Sequence, residues 1–202
     1  MKTGKARLIP LLAVIAFSLS AFPAWAQWEL DSTKSAVNFI SVKNNAVAEV
    51  HSFGDMVGYV SNDGTVQLNI ALASVDTLIE VRDERMRELL FETVTFPSAK
   101  VAATVDPKFI AVLAEGGTIT TDLSFTLSLH GAEKTLTVPV VMIGESEERI
   151  QVFTSRPLIV NAADFGLEAG IAALQKVAGL NAISTAVPVT VHLVFTRTVE
   201  SN

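Results

Sequence analysis

The sequence contains no cysteine, and this absence excludes several kinds of protein at once. Disulfide scaffolds, thiol nucleophiles, thiolate metal sites and lipoproteins anchored through an acylated cysteine all need a sulfur that the chain lacks. Charged residues are also scarce, at 18% of 202 residues, whereas apolar residues make up 50%. This composition argues against a disordered chain, and the length suits a single folded domain.

Long apolar runs are missing from the chain except at its N-terminus. There, Lys2, Lys5 and Arg7 precede an almost wholly apolar stretch at residues 8–22, and small residues follow at Ala24 and Ala26. This three-part pattern is typical of a secretory signal, and the run is shorter than the roughly 20 residues of a membrane-spanning helix. We predict a cleaved signal peptide at residues 1–26 and one domain at residues 27–202, with no transmembrane segment in the mature chain.

The predicted mature chain is acidic. Removing the signal's three basic residues from the 15 in the chain leaves 12 against 21 acidic residues, a formal net charge of −9. An acidic surface repels phosphate backbones, so nucleic acid is not an expected partner. A cysteine-free exported chain suits the periplasm of a Gram-negative bacterium, although secretion to the outside stays open. The oligomeric state is open too, a homodimer included.

Hydrophobic residues alternate with polar ones along most of the mature chain. In residues 118–130 the apolar side chains share one strand face, and the same pattern returns at residues 187–195, 65–72 and 100–106. Turn signals separate these segments, at Asn62-Asp63-Gly64, at Gly131 and at residues 144–148. An all-β fold follows, and an antiparallel barrel of about eight strands removes the exposed sheet edges.

Two segments break the alternation and predict helices. Thr77-Leu78-Ile79-Glu80 reads as a capping box before a surface helix near residues 78–91, on which Asp83 and Arg87 can pair. A second short helix is expected near residues 170–178, with Gly179 as its C-terminal cap.

No catalytic constellation stands out. The three histidines, His51, His130 and His192, are far apart, and His130 with Glu133 lacks a third ligand. There is no glycine-rich phosphate loop and no complete nucleophile elbow. The charge cluster Arg82, Asp83 and Arg87 leaves an enzyme possible. We predict no catalytic residue, no metal and no cofactor.

The phenylalanines leave two interpretations of the barrel interior. They can fill a solid core, or they can line a barrel too wide for its own side chains, and such barrels hold small apolar ligands. Filled and hollow barrels have the same sequence pattern, so both remain open at this point.

The mature chain resembles the YceI-like proteins in a series of short motifs spread over residues 28–195. The residues that carry the resemblance are Trp28-Glu29-Leu30-Asp31, Ser35-Ala36-Val37-Asn38-Phe39, Phe53-Gly54-Asp55-Met56-Val57-Gly58, Ser74-Val75-Asp76-Thr77, Arg82-Asp83-Glu84-Arg85-Met86-Arg87, Phe96-Pro97, and Leu127-Ser128-Leu129-His130-Gly131 with Lys134. Their order and spacing carry more weight than any single motif. Arg85, Met86, Phe96 and the segment 156–180 depart from the family pattern, and that segment could cover or narrow a cavity.

The resemblance implies a lipocalin-like barrel that binds a long apolar lipid chain of polyisoprenoid, quinone or fatty-acyl type, without catalysis. Such a lipid would be the ligand and the expected partner. An apolar channel would then be lined by Phe39, Phe125, Leu127, Val189 and Val191. Its mouth, or the space under the helix, would hold Phe53, Met56, Met86, Leu89 and Phe91, with Arg82 or Arg87 at the rim near a polar head group. The alternatives are an enzyme that uses the rim cluster and a filled barrel that serves as an envelope interaction module.

Overall fold

The computed structural model describes residues 26–146 and 148–198, and strands dominate this part of the chain. Residues 1–25 of the predicted signal peptide lie outside the described residues. The strands are β1 (Ala26–Leu30), β2 (Ala36–Lys43), β3 (Val47–Phe53), β4 (Met56–Ser61), β5 (Thr65–Ala71), β6 (Val75–Asp76), β7 (Ser98–Thr104), β8 (Thr118–Leu129), β9 (Ala132–Ser146), β10 (Arg149–Thr154), β11 (Leu158–Asn161) and β12 (Ala186–Arg197).

Eight of these strands close into an antiparallel barrel. The order around the ring is β1, β4, β5, β7, β8, β9, β10 and β12, and β1 closes it by pairing with both β4 and β12. Closure leaves no free edge within the ring, which is the benefit expected of this architecture. The all-β barrel predicted from the alternating pattern is therefore confirmed.

A side sheet extends the barrel wall at one end. The short 3-10 turn Ser32–Lys34 separates β1 from β2, and both strands pair with the same edge of β12. From there β2 pairs with β3, and β3 pairs with β6. The long strand β12 thus joins the closed barrel to the β2–β3–β6 sheet, so the inner face of the barrel continues onto that sheet.

Two of the three α-helices in the described part of the chain lie where the sequence predicted them. Helix α1 (Glu80–Arg85) continues directly into a π-helical turn at Met86–Leu90, and α3 spans Glu168–Ala178 and ends at Gly179 in the left-handed conformation. The two pack against each other through the π-helical turn, where a side chain on Gly170 would clash with the backbone of Leu89 and Leu90. No helix in the described part of the chain has the length and apolar character that a membrane span requires.

The predicted capping box at Thr77 is wrong in its details. The cap of α1 is Ile79, and the Thr77 hydroxyl and main-chain N–H both donate to the Asp83 carboxylate. Asp83 is therefore engaged with Thr77, and the predicted Asp83–Arg87 pair does not form among the described residues. A capping glutamate would need the Thr77 main-chain N–H as its donor. In this structure that N–H donates to Asp83, so the capping box does not form.

Helix α2 spans Pro107–Ala114, and no helix was expected there from the sequence pattern. Its start signals are clear in retrospect, because Asp106 accepts a hydrogen bond from the Lys108 N–H and Pro107 occupies the first turn. Ile110 and Leu113 are buried and the helix contacts β8, β9 and β10. Helix α2 therefore covers one end of the barrel.

The predicted turns at Gly64 and Gly131 agree with the structure, and the third differs in length. Asn62-Asp63-Gly64 joins β4 to β5 as predicted, with Gly64 at φ +86°. The turn predicted at residues 144–148 is too long, since β9 continues to Ser146 and β10 begins at Arg149. Gly144 therefore lies inside β9. Only glycine fits at this position, because a Cβ atom there would fall 1.8 Å from the Leu113 carbonyl oxygen of α2.

Candidate functional site

The barrel contains a partly open cavity of about 130 Å³ whose exposed wall is apolar. Seven of the eight barrel strands line it, together with Ile110 and Leu113 of α2 and Leu158 of β11. Phe195 lies toward the α2 end, and Val189 lies toward the end where β12 meets the side sheet. The cavity therefore runs from the α2 cap toward the β2–β3–β6 sheet.

Small side chains keep the interior hollow. An eight-stranded barrel is just wide enough either to be filled by its own side chains or to hold one small ligand. Nine of the 21 lining residues are valines, and Ala103 is smaller still. These short side chains do not reach across the barrel, so the hollow interpretation is the one that the structure supports.

The cavity is large enough to matter energetically. A sealed apolar cavity costs about 24 cal/mol per Å³, so 130 Å³ sets an upper value of roughly 3 kcal/mol for the stability lost here. Burying the five carbons of one isoprene unit, at about 0.8 kcal/mol each, is worth a similar amount before ordering costs. A short stretch of hydrocarbon chain would therefore restore most of the packing that the empty barrel lacks.

Three of the predicted binding residues line this cavity: Phe125, Val189 and Val191. Leu127 is buried further along β8, and it is not among the lining residues. The residues that sequence reasoning missed include Val101, Val138, Val140 and Val152. The sequence feature that indicates these residues is the small size of the inward-facing side chains, which becomes visible only when several strands are compared.

Three other predicted residues form an aromatic cluster beside the cavity. The ring centroids of Phe39 and Phe53 lie 5.3 Å apart, and those of Phe53 and Phe91 lie 5.8 Å apart. Phe39 is the cross-strand partner of Val189, so it shares the inner face with the cavity wall. The aromatic cluster therefore prolongs the apolar inner face onto the side sheet.

The remaining predicted residues are Met56 in β4 and four residues of α1 and its π-helical turn. Met56 and Met86 are buried, and Leu89 is half-buried. Arg82 and Arg87 are half-buried as well, but the Arg82 guanidinium donates to Glu49 at 2.6 Å and to the Thr77 carbonyl. Contact of any of these residues with a ligand stays a prediction.

A charge cluster fastens α1 to the β2–β3 hairpin. The Glu49 carboxylate lies 2.6 Å from both the Lys43 Nζ and an Arg82 nitrogen. The hydrogen bond from Lys43, followed by the attraction of Arg82, lowers the pKa of Glu49 below its usual value. Arg82 and Asp83, which the sequence left open as enzymatic groups, are thus both engaged in contacts that hold the helix in place.

His51 is the buried titratable residue of this region, with 4% of its surface exposed. Its Nε2 lies 2.8 Å from the Ser41 hydroxyl, and the Phe39 ring centroid is 5.2 Å from the imidazole. Burial, then the positive charge of Arg82, lowers the pKa of His51 below its usual value. The imidazole is therefore neutral at neutral pH.

Acidification through about pH 6.5, the pKa of histidine in an unfolded chain, should destabilise the protein through His51. Its folded pKa lies below its unfolded pKa, so the unfolded chain binds the extra proton and stability falls as the pH falls. Urea unfolding at about pH 7.5 and about pH 5.5 measures the loss of stability, and His51→Asn should lose less stability than the wild type.

His192→Asn, on an exposed histidine, is the matched control and should behave as the wild type. An equal loss in His51→Asn and the wild type would contradict the assignment.

His130 has a structural setting. It occupies the β8–β9 turn at φ +51°, its Nδ1 lies 3.3 Å from the Phe165 carbonyl oxygen, and its ring centroid lies 4.3 Å from that of Phe96. Glu133, considered with it at the sequence level, instead accepts a hydrogen bond from the Ser128 hydroxyl. His130 therefore joins the turn to the segments around Phe96 and Phe165.

The family model of the YceI-like domain matches residues 28–195, which are most of the chain and include all but the outermost residues of strands β1 and β12 in the barrel. The chain belongs to the YceI-like family. The motifs that carried the resemblance, from Trp28 in β1 to Lys134 in β9, all lie within this YceI-like domain.

Solved structures agree with the family assignment. A polyisoprenoid binding domain from Saccharophagus degradans, implicated in plant cell wall breakdown, is 42% identical, with a TM-score of 0.83 over 86% of this chain and 99% of that one. Burkholderia cenocepacia BcnA is 21% identical, with a TM-score of 0.63 over 82% and 98% of the two chains. A Campylobacter jejuni YceI protein is 14% identical, with a TM-score of 0.53 over 74% and 85%. The Burkholderia and Campylobacter proteins share the barrel fold with this chain. Among curated proteins, none is significantly similar to the chain.

Proposed function

We propose that this YceI-like protein is an exported, non-catalytic binding protein that holds a long apolar lipid chain in its barrel. The observation that carries the proposal is the apolar cavity, whose wall offers hydrocarbon contacts along its whole length. The 42% identical relative described as a polyisoprenoid binding domain supports a chain of isoprenoid units as the ligand. Quinones with isoprenoid tails and fatty-acyl chains are likewise long and apolar, and they are the other members of the proposed ligand class.

The binding mode follows from the volume and the path of the inner face. The volume of the cavity is close to that of an apolar cavity of about 150 Å³ that holds benzene, so it suits roughly one isoprene unit, and a longer chain must continue beyond Val189. The aromatic cluster of Phe39, Phe53 and Phe91 lies along that path, and its rings would shift to admit further units. The lipid is cargo in this proposal, and the protein breaks and forms no covalent bond.

The proposed location is the periplasm. It rests on the signal-like pattern of residues 1–26, with the basic residues Lys2, Lys5 and Arg7 before the apolar run. Expression of the full chain in a Gram-negative bacterium, followed by N-terminal sequencing of the protein released by osmotic shock, tests it. A mature N-terminus at Gln27 supports export, and full-length protein retained in the cytoplasm contradicts it.

Organic extraction of protein purified natively from bacteria, followed by mass spectrometry, tests the ligand class. The expected result is an isoprenoid, quinone or fatty-acyl lipid in an amount comparable to that of the protein. Val57→Phe carries a substitution on the exposed outer face of β4 and should retain the lipid, as the wild type does. An extract without lipid from folded, detergent-free protein would contradict the proposal and favour the interaction-module alternative.

A further inference from the structure

A row of paired residues leads from the cavity wall to His51. Leu158 and Val189 line the cavity and are cross-strand partners, Val189 pairs with Phe39, and Phe39 pairs with His51. Directly paired residues lie on the same face of a sheet, and neighbouring strands are about 4.8 Å apart. His51 is therefore on the inner face, two strands or roughly 10 Å from Val189.

His51 has an unused hydrogen-bonding group. Its Nε2 is engaged by the Ser41 hydroxyl, whereas its Nδ1 is buried and has no partner among the described residues. A buried polar atom without a partner costs about 1–3 kcal/mol. When Ser41 donates to Nε2, Nδ1 carries the proton and can donate to a carbonyl or hydroxyl oxygen; when Nε2 donates to Ser41, Nδ1 can accept from a hydroxyl.

The four charged groups around His51 balance in number, and each has a hydrogen-bond partner. Lys43 and Arg82 both bind the Glu49 carboxylate, and Asp83 accepts from the Thr77 main chain and hydroxyl. Two cations and two anions leave no surplus positive charge for a phosphate or a carboxylate. The surroundings therefore favour a neutral polar group over an anionic one.

We propose that the inner face around His51 and Ser41 is the subsite for the polar end of the bound chain, and that this end is an uncharged oxygen, a hydroxyl or a carbonyl. The inference rests on the proposed function, because it needs an apolar chain that reaches past Val189. The head group replaces the side chains that now cover Nδ1 and accepts or donates one hydrogen bond there. An isoprenoid alcohol or a quinone fits this description, and a prenyl diphosphate does not.

Titration with three ligands that share one branched carbon skeleton tests the proposal: farnesol, farnesyl diphosphate and the saturated hydrocarbon farnesane, each presented from cyclodextrin. The wild type should bind farnesol about tenfold more tightly than farnesane, the gain expected from one buried hydrogen bond, and farnesyl diphosphate more weakly than farnesol. His51→Leu should remove the preference for farnesol and leave farnesane binding unchanged. His51→Asn, which keeps an amide near the position of Nδ1, should restore part of it.

His192→Leu, on the exposed face of β12, is the matched control and should keep the wild-type preference. The wild type alone provides a second readout, since farnesol, but not farnesane, should shift the ring-nitrogen NMR signals of His51. Equal affinity of wild type for farnesol and farnesane, tightest binding of farnesyl diphosphate, or an unchanged preference in folded His51→Leu would each overturn the subsite. Failure of all three ligands to bind would instead overturn the proposed function.

Discussion

Replacing Val191 with phenylalanine is expected to abolish lipid binding while leaving the protein folded. Val191 lines the cavity and is only half-buried, so a phenyl ring at this position would occupy the space reserved for the chain. Losing contact with one isoprene unit corresponds to about 3–4 kcal/mol, or several hundred-fold in affinity. Titration with farnesol and the lipid recovered by extraction both measure the loss.

Stability should move in the opposite direction from affinity in this variant. The empty cavity costs up to about 3 kcal/mol, and a ring that fills part of it should hold or raise the free energy of unfolding of the lipid-free protein. The same substitution at Val57, which is 57% exposed on the outer face of β4, should change neither quantity. If Val191→Phe bound farnesol like the wild type, the cavity would not be the binding site.

Gly144→Ala is expected to destabilise the protein by about 3 kcal/mol or more. The Gly144 N–H donates to the Gly117 carbonyl, and the added Cβ would lie 1.8 Å from the Leu113 carbonyl oxygen and 2.7 Å from its carbonyl carbon. Both contacts are with backbone, so no side-chain rotation can relieve them. Helix α2 would have to move away from the end of the barrel that it covers. Urea unfolding measures the effect.

Gly54→Ala is the matched control for this prediction. Gly54 is exposed, it has no positive φ, and a Cβ there would meet nothing within 4 Å. The control should unfold within about 0.5 kcal/mol of the wild type. Equal stability of Gly144→Ala and Gly54→Ala would show that α2 does not pack against β9 as described.

The strands could be predicted from the sequence because their period of two is a local property. Residues 118–130 show it most clearly, and β8 (Thr118–Leu129) matches within one residue. Helix α2 escaped prediction although Asp106 and Pro107 are good start signals, because eight mostly apolar residues show no clear polar face. The capping box predicted at Thr77 does not form because the Thr77 hydroxyl donates to Asp83, six residues later. A pattern of four consecutive residues does not include that acceptor.

The candidate site was only partly predictable, for a physical reason. Phe125, Val189 and Val191 could be named from a single strand's inward face. The size of the cavity depends on which small residues meet across the barrel, and that depends on register between strands far apart in sequence. The partnership of Arg82 with Glu49, 33 residues away, depends on the same long-range geometry.

A crystal structure of the protein purified from bacteria without detergent or added lipid tests the central claim most directly. The account predicts continuous elongated density that begins near α2 and runs between Phe125, Val189 and Val191 toward the aromatic cluster. The contradicting result is a barrel closed by its own side chains, with the valines of opposite strands in contact and no density between them.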